Sequence, residues 1–431
     1  MTQLSSAQRL AAGVHSLPTL AKGFATTQAA WRFYTNEHVD LPTLATPLVE
    51  HARSSALECC DQWLLVVLDW SNLHYNGHES KTDRIALSMK KDFGYEMLTA
   101  LAVSDRDGSP IAPLCLELRA AAGVHTTRRT TLQKPVSQLD GLEPVMGHVG
   151  EQQLGRPAVF IIDAEADSVG HYRRWDGVGK KYVVRADEER LALHDGKEQS
   201  LRKVAESLRR RMKPTRAVRY KGKPAEQFVV ETTVVLTRPA RQSRTDPKSG
   251  KTKRKNIFGP ALALRLIVAE VRNKRGKVLA RWLLLSNLPC GVSGSTIALW
   301  YYWRWRIESY HKLLKSGGQQ IEEWRQETAA TLVRRLLVTA MSAVLVWHLA
   351  RDTSPKAKRL RTMLVKLSGR QIERGKQSRG FTEPALLAGL GVMVPMMTLL
   401  EYMSVEELKA ASEDLMPLIR SAIQARRSES G

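Results

Sequence analysis

The rhythm of apolar positions changes several times along this chain, and each change marks a different kind of element. Residues 1–62 carry Ala, Leu and Gln runs with polar punctuation and read as helical. WLLVVLDW (63–70) is then a short, nearly uninterrupted apolar run of strand length, with a carboxylate near its end. YEMLTALAV (95–103) and IAPLCLELRA (111–120) are two further strands, and SDRDGSP between them is a hairpin turn signal. A helix around 143–154 leads to a second buried strand, AVFIID (158–163), again closed by an aspartate, and YVVRA (182–186) follows. From about 188 the pattern is β-rich, with EQFVVETTVVLT (226–237), ALALRLIVAEVR (261–272) and KVLARWLLLS (277–286) as strands. Beyond 295 helical spacing returns through 326–350. A basic stretch of low order (353–380) then precedes a last helical pair that includes the acidic SVEELKAASEDL (404–415). No internal repeat is visible.

Charge sharpens this outline. The chain has 431 residues, room for two or three domains, and its 66 Lys/Arg against 43 Asp/Glu leave a net charge of +23. That sign favours a polyanionic partner, nucleic acid first. The excess is uneven: residues 202–255 hold 18 Lys/Arg against 4 Asp/Glu, a net of +14. Within them, RPARQSRTDPKSGKTKRK (238–255) reads as an exposed flexible loop suited to phosphate contact. Segment 384–400 is shorter than the ~20 residues a membrane helix needs and contains Pro395. Segment 336–350 contains His348 and follows Arg334 and Arg335, so it reads as a buried helix. MTQLSSAQRLAAGV has no basic region followed by an apolar signal core. The expectation is a cytoplasmic, nucleoid-associated protein with no membrane partner. Cys59, Cys60, Cys115 and Cys290 form no CxxC pair and are expected to be reduced.

The candidate chemistry lies in three acids. Asp69 and Asp163 are each expected to close a buried strand, and strands ending in acids put both carboxylates at one sheet edge. Glu308 lies far away in YYWRWRIESYHKLLK. Read as one helix, Tyr301, Glu308 and Lys315 are spaced by seven and drift only ~20° per step, and Arg304 shares their face. A hydroxyl, a guanidinium, a carboxylate and an ammonium on one stripe make a poor core face and a suitable surface for a polyanion with a metal. Three acids brought together raise each other's pKa unless a cation compensates. Mg²⁺, with its preference for oxygen ligands, supplies that compensation.

The spacing of Tyr301, Arg304, Glu308 and Lys315 resembles the YREK signature of insertion-sequence DDE transposases with an RNase H-like core. VFIIDAEAD (159–167) is similar to that family's "DREAD" box, and LDWSNLHY to its first-aspartate strand. WLLLSNLP (282–289), YVVRA and WRFYTNEHVD (31–40) also look like family segments, so the resemblance covers roughly residues 25–350. It implies an α/β fold: an RNase H-like mixed-sheet core interrupted by a β-rich insertion, with helical N- and C-terminal regions. The corresponding divisions are 1–62 (DNA-binding), 63–187 (core, first part), 188–286 (basic insertion), 287–350 (core, second part) and 351–431 (helical).

The resemblance further implies that Asp69, Asp163 and Glu308 bind two Mg²⁺ ions, with Mn²⁺ as a substitute. Tyr301, Arg304, Lys312 and Lys315 would hold DNA phosphates, and Arg185 a phosphate or an extruded base. Trp282 would stack on that base. The partners would be double-stranded DNA, as transposon ends and target, and a second protomer in a synaptic dimer, with 381–425 as the contact. The implied reaction is end cleavage, a hairpin intermediate and strand transfer. Departures from the family pattern are Ala164 in place of the box arginine, Asp187 and Glu188 where basic residues are expected, and a short leading helical segment. Two other classes fit part of the pattern: a non-catalytic DNA-binding regulator, and an RNase H-type nuclease without strand transfer.

Overall fold

The apolar runs assemble edge to edge. The structure, a computed structural model, describes residues 22–88, 91–245, 252–369 and 380–428. Two compact units are present: Tyr34–Arg351, and Met1–Phe33 together with Asp352–Gly431.

In the larger unit, a parallel trio forms the middle of a mixed sheet: β1 (Leu64–His74), β6 (Ala158–Ile162) and β7 (Lys181–Arg185). On one side, β1 pairs antiparallel with β3 (Phe93–Ser104), which pairs with β4 (Pro110–Ala120) and then the short β5 (Gly123–Thr126). On the other side, β7 pairs antiparallel with β15 (Val278–Ser286), followed by β14 (Leu262–Arg272) and β11 (Lys223–Leu236). The strands of 188–286 therefore continue the same sheet. Helices Leu41–Cys59 and Ala329–Arg351 pack on β4 and on each other. Nearly every residue of β4 is buried, and since successive side chains point to opposite faces, both faces of the sheet are covered there.

Local signals explain several boundaries. Asp40 caps Leu41–Cys59, its carboxylate accepting the Thr43 N–H at 3.1 Å. Asp105, in the SDRDGSP turn, accepts the N–H groups of Asp61, Gln62 and Trp63 at 2.7, 3.0 and 2.9 Å, which ties the hairpin to the entry of β1. Gly108 in that turn has φ +70°, and a Cβ there would meet the Trp303 ring at 2.4 Å, so both conformation and space require glycine.

Four expectations are corrected. Asp69 does not end its strand: β1 runs five residues further, to His74, because β3 supplies an antiparallel partner along its whole length. The tract 238–255 is not simply a loop, since Ala240–Thr245 and Thr252–Ile257 pair as an antiparallel ribbon, whose backbone bonds need no apolar face. Residues 246–251 lie outside the described residues. The basic stretch 353–380 contains the helix Pro355–Leu367, because Ser354 caps it and Pro355 starts it; residues 370–379 lie outside the described residues. The helix expected around 143–154 is Gln138–Glu151, started by the Ser137 cap. Helix Val169–Gly177 had no clear signal in the apolar pattern, whereas Leu201–Leu208 carries Leu201, Val204, Ala205 and Leu208 at helical spacing and buries all four, a local signal that the β-rich reading of this segment passed over.

Ala329–Arg351 is long and apolar enough to cross a membrane by length and composition, yet 72% of its apolar window is buried. It buries Arg334, whose Nε donates to the Val39 carbonyl at 2.8 Å, and Arg335, whose guanidinium lies 3.9 Å from the Trp324 ring centroid. In the smaller unit, Pro355–Leu367 packs on Glu383–Leu400, with Leu364 and Leu386 fully buried between them. Met396, Met397 and Leu400 remain 48–56% exposed.

Candidate active site

The parallel register of β1 and β6 pairs Leu68 with Ile162, so Asp69 and Asp163 follow side by side where the pairing of these adjacent strands ends. Beyond that point the strands part. β1 continues along β3, while β6 gives way to a single turn of 3₁₀-helix, Ala164–Ala166, capped by Asp163 itself through a 2.7 Å bond from the Ala164 N–H. A crevice at the carboxyl ends of parallel strands is where open α/β sheets present their functional groups.

The third acid arrives from outside the sheet. Helix Gly294–Trp303, capped by Ser293, packs on β11 and β14, and helix Trp305–Leu314 packs on β1 and β3. Between them the chain tightens at Arg304, with i→i−3 bonds from the Arg304 N–H to Tyr301 and from the Ile307 N–H to Arg304. The helix read as continuous is thus two helices joined at Arg304, and Lys315 caps the second.

That junction points the Arg304 guanidinium into the crevice. Its Nη1 lies 3.3 Å from Asp69 Oδ2, and its Nη2 lies 3.0 Å from Asp163 Oδ2 and 2.9 Å from Glu308 Oε1. One cation therefore joins all three acids. The Arg304 side chain is 6% exposed, while Asp69, Asp163 and Glu308 are 18, 27 and 40% exposed, so the site opens toward Glu308. Asp163 has further support: the Tyr301 hydroxyl donates to Oδ1 at 3.0 Å and Arg185 lies 3.4 Å from the same oxygen.

The two aspartates consequently differ. Burial pushes the Asp69 carboxyl up to about 6, Arg304 opposes that rise, and the charges of Asp163 and Glu308 add to it. Burial acts on Asp163 in the same direction, but Arg304, the Ala164 N–H, the Tyr301 hydroxyl and Arg185 together hold it below the usual carboxylate range. Donor count accounts for the difference.

The remaining residues singled out from sequence are distributed unevenly. Tyr301 and Arg304 were read as surface groups, but they are 2 and 5% exposed, because their helix face meets the sheet edge rather than solvent. Trp282 is 6% exposed on β15 and its ring packs 5.5 Å from that of Tyr301, so it sits beneath the tyrosine rather than open to a base. Lys315 donates to the Asn72 carbonyl on β1 and lies 3.4 Å from Glu322. Lys312 is exposed on the outer side of its helix.

Two features escaped the sequence reading. Asp167, the last acid of DAEAD, is 4% exposed and paired with Arg190 at 2.5 Å, and it accepts the Tyr172 hydroxyl at 2.7 Å. Its position in the box was the available signal. Trp303 and Trp305 both line a groove of about 350 Å³ with Arg219, Lys221, Tyr302 and Arg306, and Trp305 is 44% exposed. The groove forms where the tip between β10 (Lys213–Tyr220) and β11 meets these helices, with the Tyr302 hydroxyl donating to the Arg219 carbonyl.

The donor set suits a hard divalent cation: three carboxylates converge on the crevice, and sulfur and imidazole take no part in the cluster. The guanidinium already bridging them shows that the crevice accommodates positive charge. As the side chains stand around Arg304, no three His, Cys, Asp or Glu among the described residues are arranged to hold a metal ion.

Residues 64–345 match the family model described as the transposase DDE domain, a span that takes in the parallel trio, the three acids and both helices of the crevice. This span is well over half of the chain, and the mixed sheet with helices on its faces is the RNase H-like α/β core of such enzymes. The chain belongs to the transposase DDE domain family.

Proposed function

We propose that this protein is a cut-and-paste DNA transposase of the YREK group, with Asp69, Asp163 and Glu308 as its metal-binding catalytic acids. The observation that carries the reading is the convergence of these three carboxylates, from two adjacent parallel strands and a helix, on the single Arg304 guanidinium. Two Mg²⁺ ions held by these acids would stabilise the attacking and leaving oxygens of an in-line phosphoryl displacement.

The chain's own residues supply position. β1 and β6 are hydrogen-bonded neighbours buried through Leu68 and Ile162, so Asp69 and Asp163 extend from a rigid base. The Tyr301 hydroxyl and the Ala164 N–H both donate to Asp163 Oδ1, which leaves Oδ2 directed at Arg304. Water opens the first strand of a transposon end, and the freed 3′-OH attacks the opposite strand to give a hairpin. A second water opens the hairpin, and the new 3′-OH attacks target DNA. Each step has an oxygen nucleophile at phosphorus, so one site suffices.

The DNA path is supported by exposed basic side chains outside the crevice: Arg209, Arg210, Arg211 and Lys213 before and on β10, and Lys221 and Lys223 at the tip. These contacts carry affinity rather than sequence. Two ends require two active sites, and the exposed apolar residues of Glu383–Leu400 are the proposed contact with a second protomer. The experiment is strand-resolved cleavage of a fragment carrying the gene's flanking ends, with Mg²⁺, for wild type and Glu308→Ala. Hairpin and joined products that vanish in the variant are expected. Nicks alone would indicate a nuclease, and bound but uncut DNA a regulator.

A further inference from the structure

We infer that Arg304 is the resident counter-ion of the acidic crevice, and that a divalent cation must displace it before the site can work. This inference rests on the reading of Asp69, Asp163 and Glu308 as metal ligands. Three observations carry it. The first is geometric: the guanidinium reaches all three acids, at 2.9–3.3 Å, so it occupies the position from which a cation would serve them jointly.

The second is charge. One guanidinium offsets a single unit among three acids, and Asp69 is the poorly served member, with the longest contact to it. A divalent ion compensates the same acids more fully. The third is satisfaction. A buried arginine kept for structure ordinarily has its N–H groups paired, but Arg304 Nε is buried with no hydrogen-bond partner. Its seat is a compromise set by the acids.

A way out exists. The guanidinium carbon lies 5.8 Å from the ring centroid of Trp305, which is exposed and lines the groove shared with Arg219, Lys221 and Arg306. A displaced guanidinium slides over that ring toward a groove already rich in positive charge, where a DNA phosphate is the complementary partner. Ion loading and the release of a phosphate-binding arginine thereby become one event.

The test uses the full-length, DNA-free protein and Mn²⁺ alone, with bound ion read by electron paramagnetic resonance and stability by thermal melting. Arg304→Gln removes the competitor, and removal of even one charge-assisted hydrogen bond's worth of competition corresponds to about tenfold. The expected result is Mn²⁺ binding at least that much tighter than wild type, with a larger rise in Tm on adding the ion. Arg304→Lys keeps a charge but cannot bridge three acids, so it is expected to fall between the two. If Arg304→Gln is unfolded without metal, refolding on Mn²⁺ alone supports the displacement, and the Lys variant still ranks the affinities.

Equal or weaker binding by both variants, with Asp163→Asn still impaired, would overturn the displacement alone and make Arg304 a permanent organiser of the acids. Binding unchanged in Asp163→Asn would overturn the metal-site reading, and the displacement with it.

Discussion

Tyr301→Phe isolates one atom of the crevice. The hydroxyl donates to Asp163 Oδ1 at 3.0 Å, and the ring is 2% exposed against Trp282. Phenylalanine keeps the ring and its packing, so no cavity larger than an oxygen forms. A hydrogen bond to a charged acceptor contributes ~1.5–3 kcal/mol. Asp163 keeps the Ala164 N–H at 2.7 Å, Arg304 at 3.0 Å and Arg185 at 3.4 Å, so the carboxylate is not orphaned. The cost in stability therefore belongs at the low end, ~1–2 kcal/mol. If the hydroxyl fixes Asp163 in the reacting state, the same deficit lowers single-turnover cleavage by ~5–30-fold. Urea unfolding measures the first quantity and strand-resolved cleavage the second. Full activity in a variant destabilised by the expected amount would refute the positioning role. A destabilisation of several kcal/mol would show that the hydroxyl supports the fold rather than the acid.

Three other outcomes are expected. Trp282→Ala leaves a cavity under Tyr301 and is expected to destabilise by ~3–5 kcal/mol in urea unfolding, reducing every reaction step together; failure of hairpin formation alone, in a stable variant, would instead reveal a base-stacking role. His311 is buried against Thr99, and burial, with Lys315 and Arg304 nearby, pushes its pKa down to about 3. The unfolded chain takes up that proton near pH 6.5 and the folded chain does not until about 3, so stability falls as pH drops through this window, by up to ~1.4 kcal/mol per pH unit from this group. His311→Asn, followed by urea melts from pH 7 to 5, is expected to flatten the dependence by that slope. Replacing Arg209, Arg211 and Lys213 by Gln is expected to weaken DNA binding alike across sequences and to reduce the log–log salt slope by ~0.9 for each phosphate no longer neutralised; an unchanged slope would take these residues off the DNA path.

Much of the fold was legible because it rests on local patterns. Apolar runs of strand length, the SDRDGSP turn and the long apolar stretch after 326 correspond to β1, β3, β4, β6 and the helix Ala329–Arg351. Motif spacing pointed to Asp69, Asp163 and Glu308 as one group, and the fold brings them onto one guanidinium. Signals that compete with composition were harder to see. The helix Pro355–Leu367 depends on a cap that its Lys and Arg content obscured, and the ribbon at 240–257 on backbone pairing without an apolar stripe.

By itself, the sequence determined which residues are candidates for the chemistry, the order of strands and helices around them, and the family to which the chain belongs, because these follow from residue type and spacing. Tertiary structure alone decided how far each group reaches solvent. Helical periodicity says that Tyr301, Arg304 and Glu308 share a face, but not whether that face meets water or a sheet edge. Packing across more than two hundred residues of sequence turned it inward, which buried Trp282 beneath Tyr301 and seated Arg304 among the three acids.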